Sequence, residues 1–261
     1  MSNTASKTGS RKTTIVLSAI LVLLVLFALI YFRAVPAYRH YYVTHIEYPV
    51  YGGMTKELKE GELFSDLQSG KTFCFLGDSI TDGTETNGLP WYQALIPYIK
   101  GGHSRLSCGG WMVHHLIEQS ENIPVSDIYV VAIGINDVIF PWGKYASQTP
   151  EEYVSRIEKL TGIILERSPG AKIYFVAPWT FTGDYVQYEE RGGQFRSALI
   201  NWCDEKGHVC INPDPVISQV LKDTGIKDFM KDDIHPNAPD GICLYSYAVL
   251  KADLDRKVIS K

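Results

Sequence analysis

The stretch Phe75-Leu76-Gly77-Asp78-Ser79-Ile80-Thr81 ends a short apolar run, residues 72–76, with turn-forming residues and a serine. Such a run stopped by Gly-Asp-Ser reads as a buried strand. A serine just past a buried strand is held by the sheet with its hydroxyl aimed into whatever cleft lies there. Taken alone the pattern says little, because glycine, aspartate and serine are also ordinary turn residues. It is not a G-x-S-x-G nucleophile elbow, since threonine stands at position 81.

Working outward, comparable runs rich in β-branched and aromatic residues occur at 104–108, 128–133, 172–177 and 208–211. Between them the pattern predicts helices at 90–100, 111–120, 150–167 and 189–205, and a last one within 241–258. Pro150-Glu151-Glu152 places proline and two acids at a helix start, and Ser168-Pro169-Gly170 stops that helix. Alternation of this kind implies an α/β fold with a parallel sheet covered on both faces. Ligands in such folds bind beyond the C-terminal ends of the strands. The strand exits therefore carry the functional information.

The totals fit one such domain. The chain has 261 residues, 45% hydrophobic and 21% charged, and about 220 remain after the first forty or so, enough for one large core. A net charge of -4 argues against nucleic acid as a partner. None of the five cysteines forms a C-x-x-C pair, so zinc and thioredoxin-type sites have little support. Cys203 and Cys210 flank a polar turn and either pair, if the domain is exported, or serve as small core residues. His114 and His115 are adjacent, so their side chains diverge on a helix; no metal site and no cofactor is expected.

Residues 15–32 contain no charge and one hydroxyl. As a helix they span roughly 27 Å, close to the hydrocarbon thickness of a bilayer. A cleaved signal peptide has a shorter apolar stretch and a small-x-small site, whereas this run ends in Tyr31-Phe32-Arg33. The expected division is a tail at 1–14, a transmembrane signal-anchor at 15–32, a juxtamembrane connector at 33–70 and the α/β domain at 71–261. Lys7, Arg11 and Lys12 before the span, against Arg33 and Arg39 after it, place the tail in the cytoplasm and the domain outside.

Four exits stand out. After Ser79 come Ser107-Cys108-Gly109-Gly110, then Gly134-Ile135-Asn136-Asp137, then Asp232-Asp233-Ile234-His235. Backbone N–H groups at the second exit, before a helix, would be free to meet a developing negative charge. The Asn136 amide could donate into the same cleft. Asp232, three residues before His235, could reach the second ring nitrogen and hold the tautomer that accepts a serine proton.

In this order the four segments resemble the SGNH (GDSL-type) hydrolase family, over roughly residues 70–255. The resemblance implies a flavodoxin-like three-layer α/β/α sandwich around a mostly parallel five-stranded sheet. It implies Ser79 as nucleophile, His235 as general base and Asp232 as its orienting acid. The N–H groups of Ser79 and Gly109 and the amide of Asn136 would form the oxyanion hole. The family's usual asparagine before the second-block glycine is missing, so Gly109 and Gly110 both remain candidates for that donor. Asp233 stands where many members have glycine and offers a second carboxylate near His235 at a worse spacing.

The expected substrate is an ester of acetyl or another short acyl group on a carbohydrate, such as a cell-envelope polysaccharide or peptidoglycan. Trp142 and Trp179, with Phe140, Phe181, Tyr185 and Tyr188, follow the third and fourth strands and either stack on sugar faces or close the core. One alternative is an O-acyltransferase passing the acyl group to a sugar hydroxyl. A non-catalytic carbohydrate-binding module ranks below it, because every triad residue is present. The bilayer is the one macroscopic partner expected, through residues 15–32, and nothing in the sequence fixes an oligomeric state.

Overall fold

The computed structural model describes residues 5–51, 55–225 and 229–259; Gly52 and Gly53 of the expected connector lie outside them. The chain divides into two compact units, 1–48 and 49–261.

In the first unit, α1 (Ala5–Leu29) runs through a π-turn at Ile30–Ala34 into α2 (Val35–Tyr42). Pro36 sits in the first turn of α2, and the wider turn before it absorbs the hydrogen bond that proline cannot make. The described helical stretch Ile15–Glu47 is long and apolar enough to cross a membrane, with a mean hydropathy of 3.1 in its best window. Of the expected tail, residues 1–4 lie outside the described residues and the rest begins α1.

The second unit comprises α3 (Glu62–Leu67), β1 (Phe73–Gly77), α4 (Ser79–Asp82), β2 (His103–Ser107), α5 (Val113–Glu118), β3 (Ile128–Ala132), α6 (Ile135–Ile139) and α7 (Pro150–Arg167). β4 (Lys172–Val176), α8 (Glu189–Lys206), β5 (Val209–Ile211), α9 (Asp214–Thr224) and α10 (Asp240–Ile259) complete it. All five strands are parallel, in the order β2-β1-β3-β4-β5. This is the flavodoxin-like order, whose topological switch point lies between β1 and β3. Every residue of β1 and β3 is buried, whereas β2, at the edge, is half-exposed, as a doubly covered sheet requires. Helix α7 packs against α5 and α8, and α3 and α9 pack against α10.

The parallel sheet matches the sequence reading, and α7 has the predicted bounds. The stretch 90–100 does not form the expected helix. Its bonds run from Gln93 to Pro90, Leu95 to Tyr92 and Tyr98 to Leu95, the three-residue spacing of turns and 3₁₀ structure. Pro97 has no N–H and would clash with the carbonyl of residue 93 in an α-helix. Phe75 stacks on Tyr92 at 3.6 Å, so these turns close the core over β1. Helix α9 has no counterpart in the sequence reading, although Asp214-Pro215 is a serviceable helix start.

Part of the expected connector belongs to the second unit. Lys172 Nζ, at the start of β4, meets Glu62 and Asp66 of α3 at 2.6 Å each. Tyr174 donates to Asp66 at 2.6 Å, and the buried Asp253 of α10 accepts the Leu63 N–H at 2.8 Å.

Candidate active site

Gly77 ends β1 where no side chain fits. A Cβ there would lie 2.1 Å from Thr81 Oγ1 and 2.5 Å from the Ala132 carbonyl of β3. This close approach lets the chain turn at once into α4. Asp78 caps that helix, its Oδ1 accepting the Ile80 N–H at 3.1 Å, and Ser79 opens it. Thr81 is buried and takes the indole N–H of Trp91 at 3.2 Å. Gly-Asp-Ser-x-Thr is thus a packed corner, and Ser79 is its outermost polar group, 7% exposed.

Across the cleft, residues 229–237 form a loop pinched at its base. The Asn237 N–H donates to Phe229 O at 2.8 Å and the Lys231 N–H to His235 O at 2.9 Å. The loop brings His235 Nε2 to 2.9 Å from Ser79 Oγ, although 156 positions separate the two. His235 Nδ1 lies 2.9 Å from Asp232 Oδ2. Asp232 Oδ1 accepts the N–H groups of Ile234 at 2.8 Å and of His235 at 2.6 Å. Burial pushes the Asp232 carboxyl upward, but these two N–H groups and the imidazole outweigh it and hold the pKa below its ordinary value. Asp232 is therefore ionised at neutral pH and suited to keep a proton on Nδ1, leaving Nε2 to accept one from the serine.

The Asn136 amide donates to the Trp111 carbonyl at 2.9 Å, which fixes the side chain with one amide hydrogen engaged and a second to spare. Asp137, fully buried, anchors the same corner by accepting the Ser147 N–H at 2.9 Å, the Ser147 hydroxyl at 2.7 Å and the Val113 N–H at 3.2 Å. Gly109 and Gly110 are exposed in a turn, and the helix expected directly after them starts only at Val113. A Cβ on Gly109 would meet Thr84 Oγ1 at 3.3 Å, beside the segment that follows Ser79, while Gly110 adopts φ +76° in open space.

The two tryptophans part company. Trp142 is 76% exposed on the loop after α6. Trp179 is 1% exposed and packs against Trp91 and Tyr245, at centroid distances of 5.5 and 4.8 Å. The expectation that Trp179 lines a cleft is corrected: its ring closes the core beneath the exit of β4. Phe181 is likewise buried. The Asp233 carboxylate, considered above as a second acid for His235, instead accepts the Asp184 N–H at 2.9 Å. Cys203 and Cys210 are both free thiols.

Two groups carry more weight than the sequence reading gave them. Asp78 is fully buried and its Oδ2 has no protein partner among the described residues. Burial and the Asp137 carboxylate push its pKa up to about 7, against the pull of the Ile80 N–H. Arg191 of α8 donates to the carbonyls of Val138, Ser147 and Gln148 at 3.1, 2.9 and 3.0 Å. It clamps the loop that carries Phe140 and Trp142. No local pattern marks Arg191, whose partners are distant in sequence, and the Asp137 carboxylate beside Asp78 is brought there only by the fold.

The corner after β1, the corner after β3 and the histidine loop fall within residues 75–239, the span matched by the model of the GDSL-like lipase/acylhydrolase family. The chain belongs to that family. It is a carboxylic ester hydrolase whose fold recurs among solved structures. It resembles a GDSL-like lipase from Parabacteroides merdae with 19% identity, covering 72% of this chain and 97% of that one at a TM-score of 0.60. It also resembles an acetylxylan esterase from Geobacillus stearothermophilus with 19% identity, covering 72% and 96% at 0.56. An α/β hydrolase enzyme from the metagenome of Lake Arreo matches with 19% identity, covering 70% and 95% at 0.56. At these identities the likeness is one of fold. Solved forms of the acetylxylan esterase include catalytic mutants at one serine, one aspartate and one histidine. No curated protein matches the sequence.

Proposed function

We propose that this esterase removes acetyl or other short acyl groups from a carbohydrate through an acyl-serine intermediate. The observation that carries the reading is the continuous chain from Ser79 Oγ through His235 to Asp232, with both contacts at 2.9 Å. His235 Nε2 takes the Ser79 proton as Oγ attacks the ester carbonyl carbon. The oxygen that becomes negative is met by the N–H groups of Ser79 and Gly109 and by the free amide hydrogen of Asn136. The alcohol leaves with the proton from His235, and water then attacks the acyl-serine with His235 again as base.

The carbohydrate assignment is supported by the exposed Trp142 ring, held on a clamped loop beyond β3, and by the acetylxylan esterase among the structural neighbours. That neighbour's catalytic mutants fall on the same three residue types, with its aspartate three positions before its histidine as in this chain. Residues 15–32 anchor the protein in a bilayer, with the enzyme domain on the extracytoplasmic side. The test is acetate release from acetylated envelope polysaccharides, wild type against Ser79→Ala. Serine-dependent acetate release supports the reading. Acyl transfer to an added saccharide without acetate release would make the enzyme a transferase.

A further inference from the structure

The loop that carries His235 and Asp232 also carries Asp233, which the proton relay leaves unused. Its carboxylate and carbonyl are both spent on the turn after β4. Oδ2 accepts the Asp184 N–H at 2.9 Å. The Asp233 carbonyl accepts the Thr182 hydroxyl at 2.8 Å and the Thr182 N–H at 3.1 Å. Gly183, between these two donors, adopts φ +50°, and a Cβ on it would lie 2.0 Å from Asp233 Oδ1. The carboxylate fills the space that any other residue at 183 would claim.

We propose that Asp233 is a positioning residue, fastening the 229–237 loop to the 182–184 turn and so setting where His235 stands relative to Ser79. The contacts within the loop fix its own shape. The pinch at its base and the bonds from Asp232 to the N–H groups of Ile234 and His235 all stay inside it. They do not fix the loop against the sheet. Its ties to the segments after β1 and β4 do that. One is Lys231, whose ammonium meets the Glu85 carboxylate at 2.6 Å and donates to the Glu85 carbonyl at 2.9 Å, a solvent-facing contact of the kind that holds little. The other is Asp233, half-buried. Its carbonyl takes the two Thr182 bonds, which any residue would keep. Its carboxylate adds the bond to the Asp184 N–H and the packing against Gly183 that only this side chain gives. The tie matters because Ser79 Oγ and His235 Nε2 sit at 2.9 Å, and a shift of about 1 Å at a reacting pair costs about 10²-fold in rate.

The inference rests on the reading of Ser79 as nucleophile, so Ser79→Ala accompanies the test. Full-length protein in detergent is assayed on p-nitrophenyl acetate, with thermal melting and inactivation by a small fluorophosphonate measured alongside. Asp233→Ala is expected to lower kcat by about 10- to 100-fold with KM nearly unchanged, and to slow inactivation in parallel. Asp233→Asn keeps a carbonyl oxygen for the Asp184 N–H and is expected to restore most of the rate. Gly183→Ala, pressing on the same carboxylate from the other side, is expected to reproduce the kcat loss, and it decides the matter if Asp233→Ala does not fold. The two losses should not add, since both act on one contact. Unchanged kcat in Asp233→Ala and Gly183→Ala, with Ser79→Ala inactive, overturns the positioning role alone. So do equal losses in the Ala and Asn variants of Asp233. A fully active Ser79→Ala would instead overturn the nucleophile reading beneath it.

Discussion

The Asn136 amide donates to the carbonyl of Trp111 at 2.9 Å, tying the exit of β3 to the turn that follows β2. One amide hydrogen is fixed by this bond, so the other points in a set direction before any substrate arrives. Donors arranged in advance are the kind that stabilise an oxyanion most. Asn136→Ala is expected to lower kcat by roughly 10²–10³-fold with little change in KM. Steady-state kinetics on p-nitrophenyl acetate checks it, and a change confined to KM would assign Asn136 to substrate binding.

Asp232 Oδ2 lies 2.9 Å from His235 Nδ1, and its Oδ1 holds the loop through two N–H groups. Asp232→Asn keeps the acceptor for those N–H groups but presents a neutral group to Nδ1. The expected loss is roughly 10³–10⁴-fold in kcat, because the wrong tautomer then faces the serine. Asp232→Ala should lose at least as much and also melt earlier.

Stability should fall as pH rises through the range in which Asp78 ionises. Burial holds its folded pKa at about 7, above the ordinary aspartate value of 3.8, so the folded state holds a proton that the unfolded chain has released. The stabilisation from that proton is fully present below the unfolded value and is lost as pH rises through 7. Asp78→Asn is neutral throughout and keeps an acceptor for the Ile80 N–H. It should raise the melting temperature at pH 8 more than at pH 5. The gain in unfolding free energy should differ between the two pH values by on the order of a few kcal/mol, since one pKa unit is about 1.4 kcal/mol. Equal effects at the two pH values would show that Asp78 stays ionised when buried.

The unit 49–261 contains the whole sheet and its covering helices. A chain beginning at Pro49 should therefore fold and hydrolyse p-nitrophenyl acetate at near the full-length rate. It should appear in the soluble fraction, while the full-length protein sediments with membranes and is released by detergent but not by high salt. Recovery of an intact full-length protein from the soluble fraction would contradict the anchor.

Strand–helix alternation was legible because buried parallel strands are short, apolar and β-branched, and because Pro150 and Ser168-Pro169-Gly170 punctuate α7. Residues 90–100 misled because Trp91, Tyr92 and Leu95 are apolar at helical spacing, yet Pro97 bars the helix and the rings serve the core. That Ser79, His235 and Asp232 would meet was legible because each sits at a strand exit or at a three-residue spacing. Trp179 was not, since a ring after a strand reads the same whether it faces a cleft or seals the core. The parts played by Asp233 and Arg191, and the Asp137 charge felt by Asp78, depend on partners brought close only by the fold.

The central claim is that Ser79 is the nucleophile. Ser79→Ala removes only Oγ from a corner whose backbone is held by Asp78, Thr81 and Trp91, so the protein should fold as before. Turnover of p-nitrophenyl acetate, measured on folded Ser79→Ala against wild type, is predicted to fall by about 10⁴-fold or more. Turnover within tenfold of wild type would contradict the account.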